Sequence, residues 1–176
     1  MIYFYYFMAA VSALFGIQSL LSGFRYVRYV KQETGKQLPE YTPFVSVIAP
    51  SRGLEHGLAD NFCALLTQDY PAYEILFVFD RTADPAVDVL SELPTDRVTA
   101  RVIFSGPAID TGQKVHNLRV AVNEIDPRSE VLVFVDTDAR PGQQWLRQLV
   151  APLADPSIAA STGYRWFVSQ IGGLPS

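Results

Sequence analysis

Short apolar runs alternate with amphipathic segments along most of this chain. Runs bounded by polar residues or proline predict strands at residues 44–49, 74–79, 98–104, 131–135 and 158–168. Apolar residues at helical spacing predict helices at residues 58–68, 112–125 and 143–153, and a further helix from Asp84-Pro85 toward Leu93. Five consecutive apolar residues in 131–135 favour a strand that is buried on both faces. Strands that alternate with helices specify an α/β fold, with a mainly parallel sheet flanked by helices.

The amino-terminal segment has a different pattern, because no residue from Ile2 to Phe24 is charged. This length is sufficient to span the hydrocarbon core of a membrane, which predicts one transmembrane helix. The basic residues that follow indicate a membrane protein, single-pass in this chain, whose remainder is cytosolic. A signal peptide is disfavoured by the lack of a basic start and a small-residue cleavage site, and a buried soluble helix remains the alternative. We therefore expect an anchor at 1–30, a tether at 31–43 and a soluble domain at 44–176.

Composition narrows the function classes. The chain has 176 residues and a net charge of −4, which is enough for one domain and gives no basic face for nucleic acid. Its single cysteine, Cys63, cannot form an internal disulfide and is expected to be a small buried hydrophobe.

Polar residues follow three of the predicted strands: Pro50-Ser51-Arg52, Asp80, and Asp136-Thr137-Asp138. Parallel strands end at a common edge of the sheet, here called the rim, where ligands of open α/β sheets bind. Alternate carboxylates at such an edge suit a hard divalent cation, Mg²⁺ or Mn²⁺, that carries a diphosphate. The rim therefore indicates nucleotide-sugar chemistry.

Individual residues at the rim admit a functional and a structural interpretation. Asp80 or Asp84 is suited to the base or ribose, Asp136 and Asp138 to the metal, and Lys114 to a phosphate or sugar oxygen. Taken singly, each acid is better explained as a turn or helix-cap residue, and each cation as a solvated surface residue. Because all of these residues are expected at the same rim, the functional interpretation is favoured for them as a group. His56 is expected at the surface, and His116 is expected to make a supporting hydrogen bond.

The ordered motifs resemble those of the inverting family 2 glycosyltransferases, and more narrowly of the ceramide glucosyltransferase-like branch. The segments that carry the resemblance lie between about Phe44 and Phe167: Val-Ser-Val-Ile-Ala-Pro-Ser-Arg-Gly, Gln68-Asp69-Tyr70-Pro71, Tyr73-Glu74-Ile75, Asp84-Pro85-Ala86, Gly112 to Leu118, and Val135-Asp136-Thr137-Asp138. The resemblance implies a GT-A domain that transfers a hexose from a UDP-sugar donor to the hydroxyl of a membrane lipid acceptor.

The same resemblance implies a set of site residues. Donor binding falls on Pro50, Arg52, Asp80, Asp84, Lys114, Asn117 and Asp136, and metal binding falls on Asp136 and Asp138. Two family features are not found before Ser176, namely a later acidic general base and a Gln-x-x-Arg-Trp motif; Arg165-Trp166 has Thr162 in the place of the glutamine. We therefore expect the amino-terminal, donor-binding part of a longer enzyme, which binds a UDP-sugar weakly without turning it over.

Two other classes compete with this interpretation. A sugar-nucleotide nucleotidyltransferase or an NAD-dependent epimerase on a similar sheet requires a glycine-rich loop after the first strand, and residues 50–55 do not supply one. A membrane-tethered nucleotide-sugar-binding module, or an inactive truncated one, is the non-enzymatic alternative.

Overall fold

A computed structural model describes residues 1–35, 39–95 and 98–163. The chain divides into two compact units, Met1–Leu38 and Pro39–Ser176. The first contains helix α1 (Ile2–Thr34). The second contains, in order, β1 (Val45–Pro50), α2 (Leu58–Leu66), β2 (Tyr73–Phe79), α3 (Pro85–Ser91), β3 (Thr99–Phe104), α4 (Gln113–Val122), β4 (Val131–Phe134), α5 (Trp145–Val150) and a 3-10 helix (Ala151–Ala154).

Helix α1 is longer than the apolar segment that predicted it, because it continues past Phe24 into the basic residues. The most apolar 18-residue window within Ile2–Gln32 has a mean hydropathy of 1.6, and none of that window is buried. By length and composition it is a candidate membrane span.

The second unit is built on a four-stranded sheet with the order β3-β2-β1-β4, in which all three pairings are parallel. Pro50 of β1 lies opposite Val78 of β2, and Ile48 lies opposite Phe134 of β4. The predicted parallel α/β architecture is confirmed, and the four strands begin and end within one residue of their predicted bounds.

Helices cover both faces of this sheet because β1 and β2 are apolar on both faces. On one face, α2, α3 and α5 pack against alternate residues of β1 and β2; large, fully buried side chains in this layer include Phe62, Phe77, Phe79, Leu65 and Leu146. On the other face, α4 packs on Ile48, Leu76 and Val78 through Ala121 and Leu118. Phe62 and Phe77 meet edge to face with their ring centroids 4.8 Å apart, a favoured aromatic geometry.

Three expectations require correction or fall outside the described residues. Strand β4 is not buried on both faces: Leu132 is 38% and Phe134 is 53% exposed, because β4 is the edge of the described sheet and α4 packs on β1 and β2. Cys63 is half-buried rather than fully buried. Residues 158–163 form no strand, and the rest of the predicted last strand, including Arg165 and Trp166, lies outside the described residues.

Candidate functional site

The rim joins the carboxyl ends of neighbouring strands through backbone hydrogen bonds. Ser51 N–H donates to the carbonyl of Val78 at 2.9 Å, and Ser105 N–H donates to that of Phe79 at 2.9 Å. At the β4 end, the Val135 N–H donates to the carbonyl of Ile48 at 3.1 Å. The segments that follow β1, β2, β3 and β4 therefore begin side by side.

Asp80 is the first residue after β2, and its side chain is 15% exposed. Its Oδ2 lies 3.7 Å from Nε of Arg52 in the β1–α2 loop, and its Oδ1 lies 4.0 Å from Nε of Arg81. The Oδ1 atom is buried and accepts no hydrogen bond from the described residues. An unsatisfied buried acceptor is costly, so this oxygen is suited to a donor group of a ligand, such as a nucleobase N–H or a ribose hydroxyl.

Asp84 is 2% exposed, and its carboxylate is already engaged. It caps α3 by accepting from the Ala86 N–H at 3.0 Å, as the Asp-Pro sequence predicts. Both of its oxygens also accept from the N–H of Gly53, each at 3.0 Å. Gly53 has φ +68°, a conformation that glycine adopts readily. Asp84 therefore fixes the loop that carries Arg52.

Asp136 lies two residues beyond the end of β4, and its Oδ1 forms an ion pair with Nζ of Lys114 in the first turn of α4. Both side chains are more than half exposed. A cavity of about 230 Å³ adjoins this pair and is lined by Pro50, Lys114, Leu118, Phe134, Val135 and Asp136. Predicted donor-binding residues from β1, α4 and the end of β4 thus border one cavity.

The loop that carries Asp136 and Asp138 is held by α2. The side-chain amide of Asn61 donates to the carbonyl of Thr137 at 3.0 Å, and Thr137 Oγ1 lies 3.4 Å from the carbonyl of Pro50. Arg140, at the far end of this loop, donates from Nε to Asn61 Oδ1 at 3.2 Å and pairs with Asp60 at 2.8 Å. Asp136 and Asp138 are themselves exposed.

Asn117 is also buried and internally bonded. Its Oδ1 accepts from the Ser105 hydroxyl and from the side-chain amide of Gln113, both at 2.7 Å. Gln113 in turn bonds the backbone of the β3–α4 loop at Gly106 and Ala108. The expected supporting role of His116 is present, since its Nε2 lies 2.9 Å from the Ser105 carbonyl; His56 is exposed, as expected.

The sequence interpretation missed the residues that shape these loops, chiefly Asn61, Arg140, Gln113 and Gly53. For Asn61 a signal exists: it occupies the core-facing spacing of Leu58, Phe62 and Leu65, where an amide must find a buried partner. No comparable signal marks the bonds of Gln113 to the loop backbone or those of Arg140 to α2, because these partners are backbone atoms or side chains distant in sequence.

The metal expectation rests on few ligands. The part of the chain that the structure describes has no group of three or more His, Cys, Asp or Glu side chains placed to hold a metal ion. Asp136 and Asp138 are nevertheless two exposed carboxylates on one short loop. Mg²⁺ is commonly held by one or two carboxylates, with water and substrate phosphates completing its shell, so this donor set fits a cation that arrives with a diphosphate.

Two solved glycosyltransferase structures share this architecture. The chain superposes with a TM-score of 0.58 on a mannosyltransferase from Pyrobaculum calidifontis in complex with GDP-Man and Mn²⁺, at 23% identity over 77% of this chain and 41% of that one. It superposes with a TM-score of 0.51 on glucosyl-3-phosphoglycerate synthase from Mycobacterium tuberculosis in complex with Mn²⁺, UDP and glucosyl-3-phosphoglycerate, at 17% identity over 68% and 46% of the two chains. The fold is therefore GT-A.

Sequence relatives and a family profile are more specific. Ceramide glucosyltransferase 3 of Caenorhabditis elegans is 33% identical over 81 residues, which are 45% of this chain and 18% of that protein. Ceramide glucosyltransferase of Gibberella zeae is 26% identical over 172 residues, 89% of this chain and 31% of that protein. The chain thus spans less than a third of the length of these relatives. Because the profile of glycosyl transferase family 21 matches residues 5–172, the chain belongs to that family, and the resemblance to the ceramide glucosyltransferase branch of the family 2 glycosyltransferases is confirmed.

Proposed function

We propose that this chain is the donor-binding part of a membrane-anchored inverting glycosyltransferase that transfers a hexose from a UDP-sugar to the hydroxyl of a membrane lipid. The observation that carries the proposal is the rim: charged side chains from three neighbouring strand ends and from the start of α4 border one edge of a GT-A sheet. Ceramide glucosyltransferases among the relatives support the lipid acceptor. A complex with UDP and Mn²⁺ among the structural neighbours supports the nucleotide and the cation.

The contacts support the following roles within the site. Asp80 Oδ1, a buried acceptor that receives no hydrogen bond from the described residues, receives a donor group of the base or ribose. Arg52 flanks it, while Asp84 and Asn117 hold the neighbouring loops in place. Lys114 faces the diphosphate or the sugar from the start of α4, where backbone N–H groups also favour an anion.

Asp136 and Asp138 would hold the divalent cation, which when bound neutralises the charge that develops on the leaving diphosphate. Before the donor arrives, the Lys114 ammonium neutralises Asp136. The anchor at 1–30, the tether at 31–43 and the cytosolic domain at 44–176 complete the proposed organisation, with α1 as the membrane span.

A nucleotide-sugar-binding module without catalysis is the second candidate. It is favoured by the roles proposed above for the described residues, none of which is that of a general base. Both candidates require donor binding, so the deciding experiment for either is titration calorimetry of the full chain in detergent micelles with UDP and Mn²⁺.

We expect binding that depends on Mn²⁺ and is weakened at least tenfold by Asp138→Ala, while Asp88→Ala, which alters an exposed aspartate of α3, leaves it unchanged. A folded chain with no affinity for UDP would refute the proposal. Hydrolysis or transfer of the sugar by the 176-residue chain would exclude the purely binding module.

A further inference from the structure

Residues 106–111, which form most of the loop between β3 and α4, hold a highly exposed apolar side chain. Ile109 is 91% exposed. It is one of three large apolar side chains that are exposed between residues 104 and 115; the other two are Phe104 at the end of β3 and Val115 in the first turn of α4. An isolated exposed isoleucine requires no explanation, but three exposed apolar side chains along the one connection from β3 to α4 form a feature that does.

The backbone of this loop is braced. Gln113 accepts from the Ala108 N–H at 2.9 Å and donates to the Gly106 carbonyl at 2.8 Å, so one side chain bonds the loop at two points within three residues of Ile109. Asn117 and His116 bond Ser105 at the other end of the connection. These side chains of α4 hold the loop in a defined shape with Ile109 in solvent. Such bracing lowers the conformational entropy that the loop would lose on binding a surface.

A basic side chain lies at the same corner. Arg81 follows β2 directly, and β2 is joined to the start of the loop by the hydrogen bond between Ser105 and Phe79. The Arg81 side chain is 61% exposed, and its contact with Asp80 is as long as 4.0 Å. Protein surfaces that combine exposed apolar side chains with a cation bind the interface of a lipid bilayer. Asp110, next to Ile109, limits such contact to a shallow one.

Helix α1 indicates that the partner of this surface is a membrane. Helix α1 is long and apolar enough to cross a membrane, and only a short segment separates it from β1. A membrane that α1 spans would therefore be available to the domain at high effective concentration, so that a weak surface contact suffices.

We propose that the 106–111 loop is a membrane-contact element, in which Ile109 enters the lipid interface, Val115 lies at its border and Arg81 faces lipid phosphate. The contact involves no sugar nucleotide, and it adjoins the proposed donor site at Arg81, which lies beside Asp80. A lipid acceptor that stays in its bilayer would meet the site at this corner.

The test uses the full chain reconstituted in phosphatidylcholine vesicles, without nucleotide. Cys63→Ala supplies a background free of cysteine, and an environment-sensitive NBD label is attached to Ile109→Cys or, as the matched control, to Glu92→Cys. Glu92 is exposed at the end of α3 that points away from the rim. Both positions are in solvent, so neither substitution is expected to impair folding.

We expect NBD emission at position 109 to rise severalfold in vesicles relative to the urea-unfolded chain, and to be quenched by doxyl-labelled lipids, with neither effect at position 92. Equal, low quenching at both positions would overturn the proposal. So would a label at 109 that is shielded from both doxyl lipids and aqueous iodide, because protein rather than lipid would then cover the loop. Since UDP is absent, failure here leaves the calorimetric test of donor binding unaffected.

Discussion

Both carboxylate oxygens of Asp84 lie 3.0 Å from the backbone nitrogen of Gly53. One buried side chain thereby links the cap of α3 to the loop after β1 at the rim. Asp84, which the sequence suggested as a donor ligand, is thus bonded to the protein itself. It would affect a bound sugar nucleotide by positioning Arg52 and the loop after β1.

Replacing Asp84 tests this positioning role. In Asp84→Asn the charge is lost and an NH₂ group takes the place of one acceptor. We expect the free energy of unfolding in urea to fall by about 1–3 kcal/mol, and UDP affinity to fall with it. Asp88→Asn, on the exposed side of the same helix, should change stability by less than about 0.5 kcal/mol. Lost affinity with unchanged stability would instead indicate that Asp84 contacts the donor directly.

Asn61 should be equally important for the loop that carries Asp136 and Asp138. In Asn61→Ala the carbonyl of Thr137 and Nε of Arg140 both lose their bonds to this side chain, and a buried acceptor without a partner costs about 1–3 kcal/mol. Urea unfolding measures the loss, and Mn²⁺ titration should show weaker binding.

The control for Asn61 is its neighbour. Asp60→Ala removes the ion pair with Arg140, whose side chains are 68% and 56% exposed, so the loss should be no more than about 1 kcal/mol. Equal losses for the two variants would show that Arg140, rather than the Asn61–Thr137 bond, holds the loop.

The local elements and the rim were predictable because each rests on short-range pattern. Apolar runs mark β1 and β2, Asp84-Pro85 marks the start of α3, and parallel strands necessarily end at one edge. The exposure of Phe134 was not predictable, since the position of a strand in the sheet depends on non-local pairing. For the same reason the bonds of Asp84 to Gly53 and of Gln113 to Gly106 could not be foreseen: they depend on loop geometry that no periodicity encodes.

The ion pair between Lys114 and Asp136 should contribute to binding rather than to folding. Both side chains are more than half exposed, so Lys114→Met should change the unfolding free energy by less than about 1 kcal/mol. If the ammonium contacts the diphosphate, affinity for UDP should fall about tenfold or more, which corresponds to about 1.4 kcal/mol. Arg119→Met, an exposed cation on the same helix, is the control. Unchanged UDP affinity in Lys114→Met would remove this residue from the donor site.

Glu74 should stabilise the amino-terminal end of the sheet, opposite the rim. It is 2% exposed, and its Oε1 accepts from the Ser46 hydroxyl and from the Asp126 N–H, each at 2.6 Å, while Arg101 lies 3.6 Å from Oε2. Glu74→Ala should lower the unfolding free energy by about 2–4 kcal/mol, because the Ser46 hydroxyl, the Asp126 N–H and Arg101 would all lose this partner. Glu124→Ala, which removes the exposed second carboxylate near Arg101, should cost less than about 1 kcal/mol. A similar cost for both would place the contribution in Arg101 rather than in the buried network.

Tyr70 should make the domain lose stability at alkaline pH. Burial raises the pKa of its phenol from 10.0 to about 12, and the neutral hydroxyl donates to the carbonyl of Pro43 at 2.8 Å. In the unfolded chain the phenol ionises near 10, so between pH 10 and about 12 the native state binds more protons, and stability falls as the pH rises. The stabilisation is complete below pH 10, and its loss amounts to about 2–3 kcal/mol.

The test is the free energy of urea unfolding of Tyr70→Phe, measured across this pH range. The part of the alkaline decline that comes from Tyr70 should be absent, while the part from Tyr73, whose pKa is also raised by burial, should persist. An identical alkaline decline in the two proteins would show that Tyr70 ionises in the native state as readily as in the unfolded one.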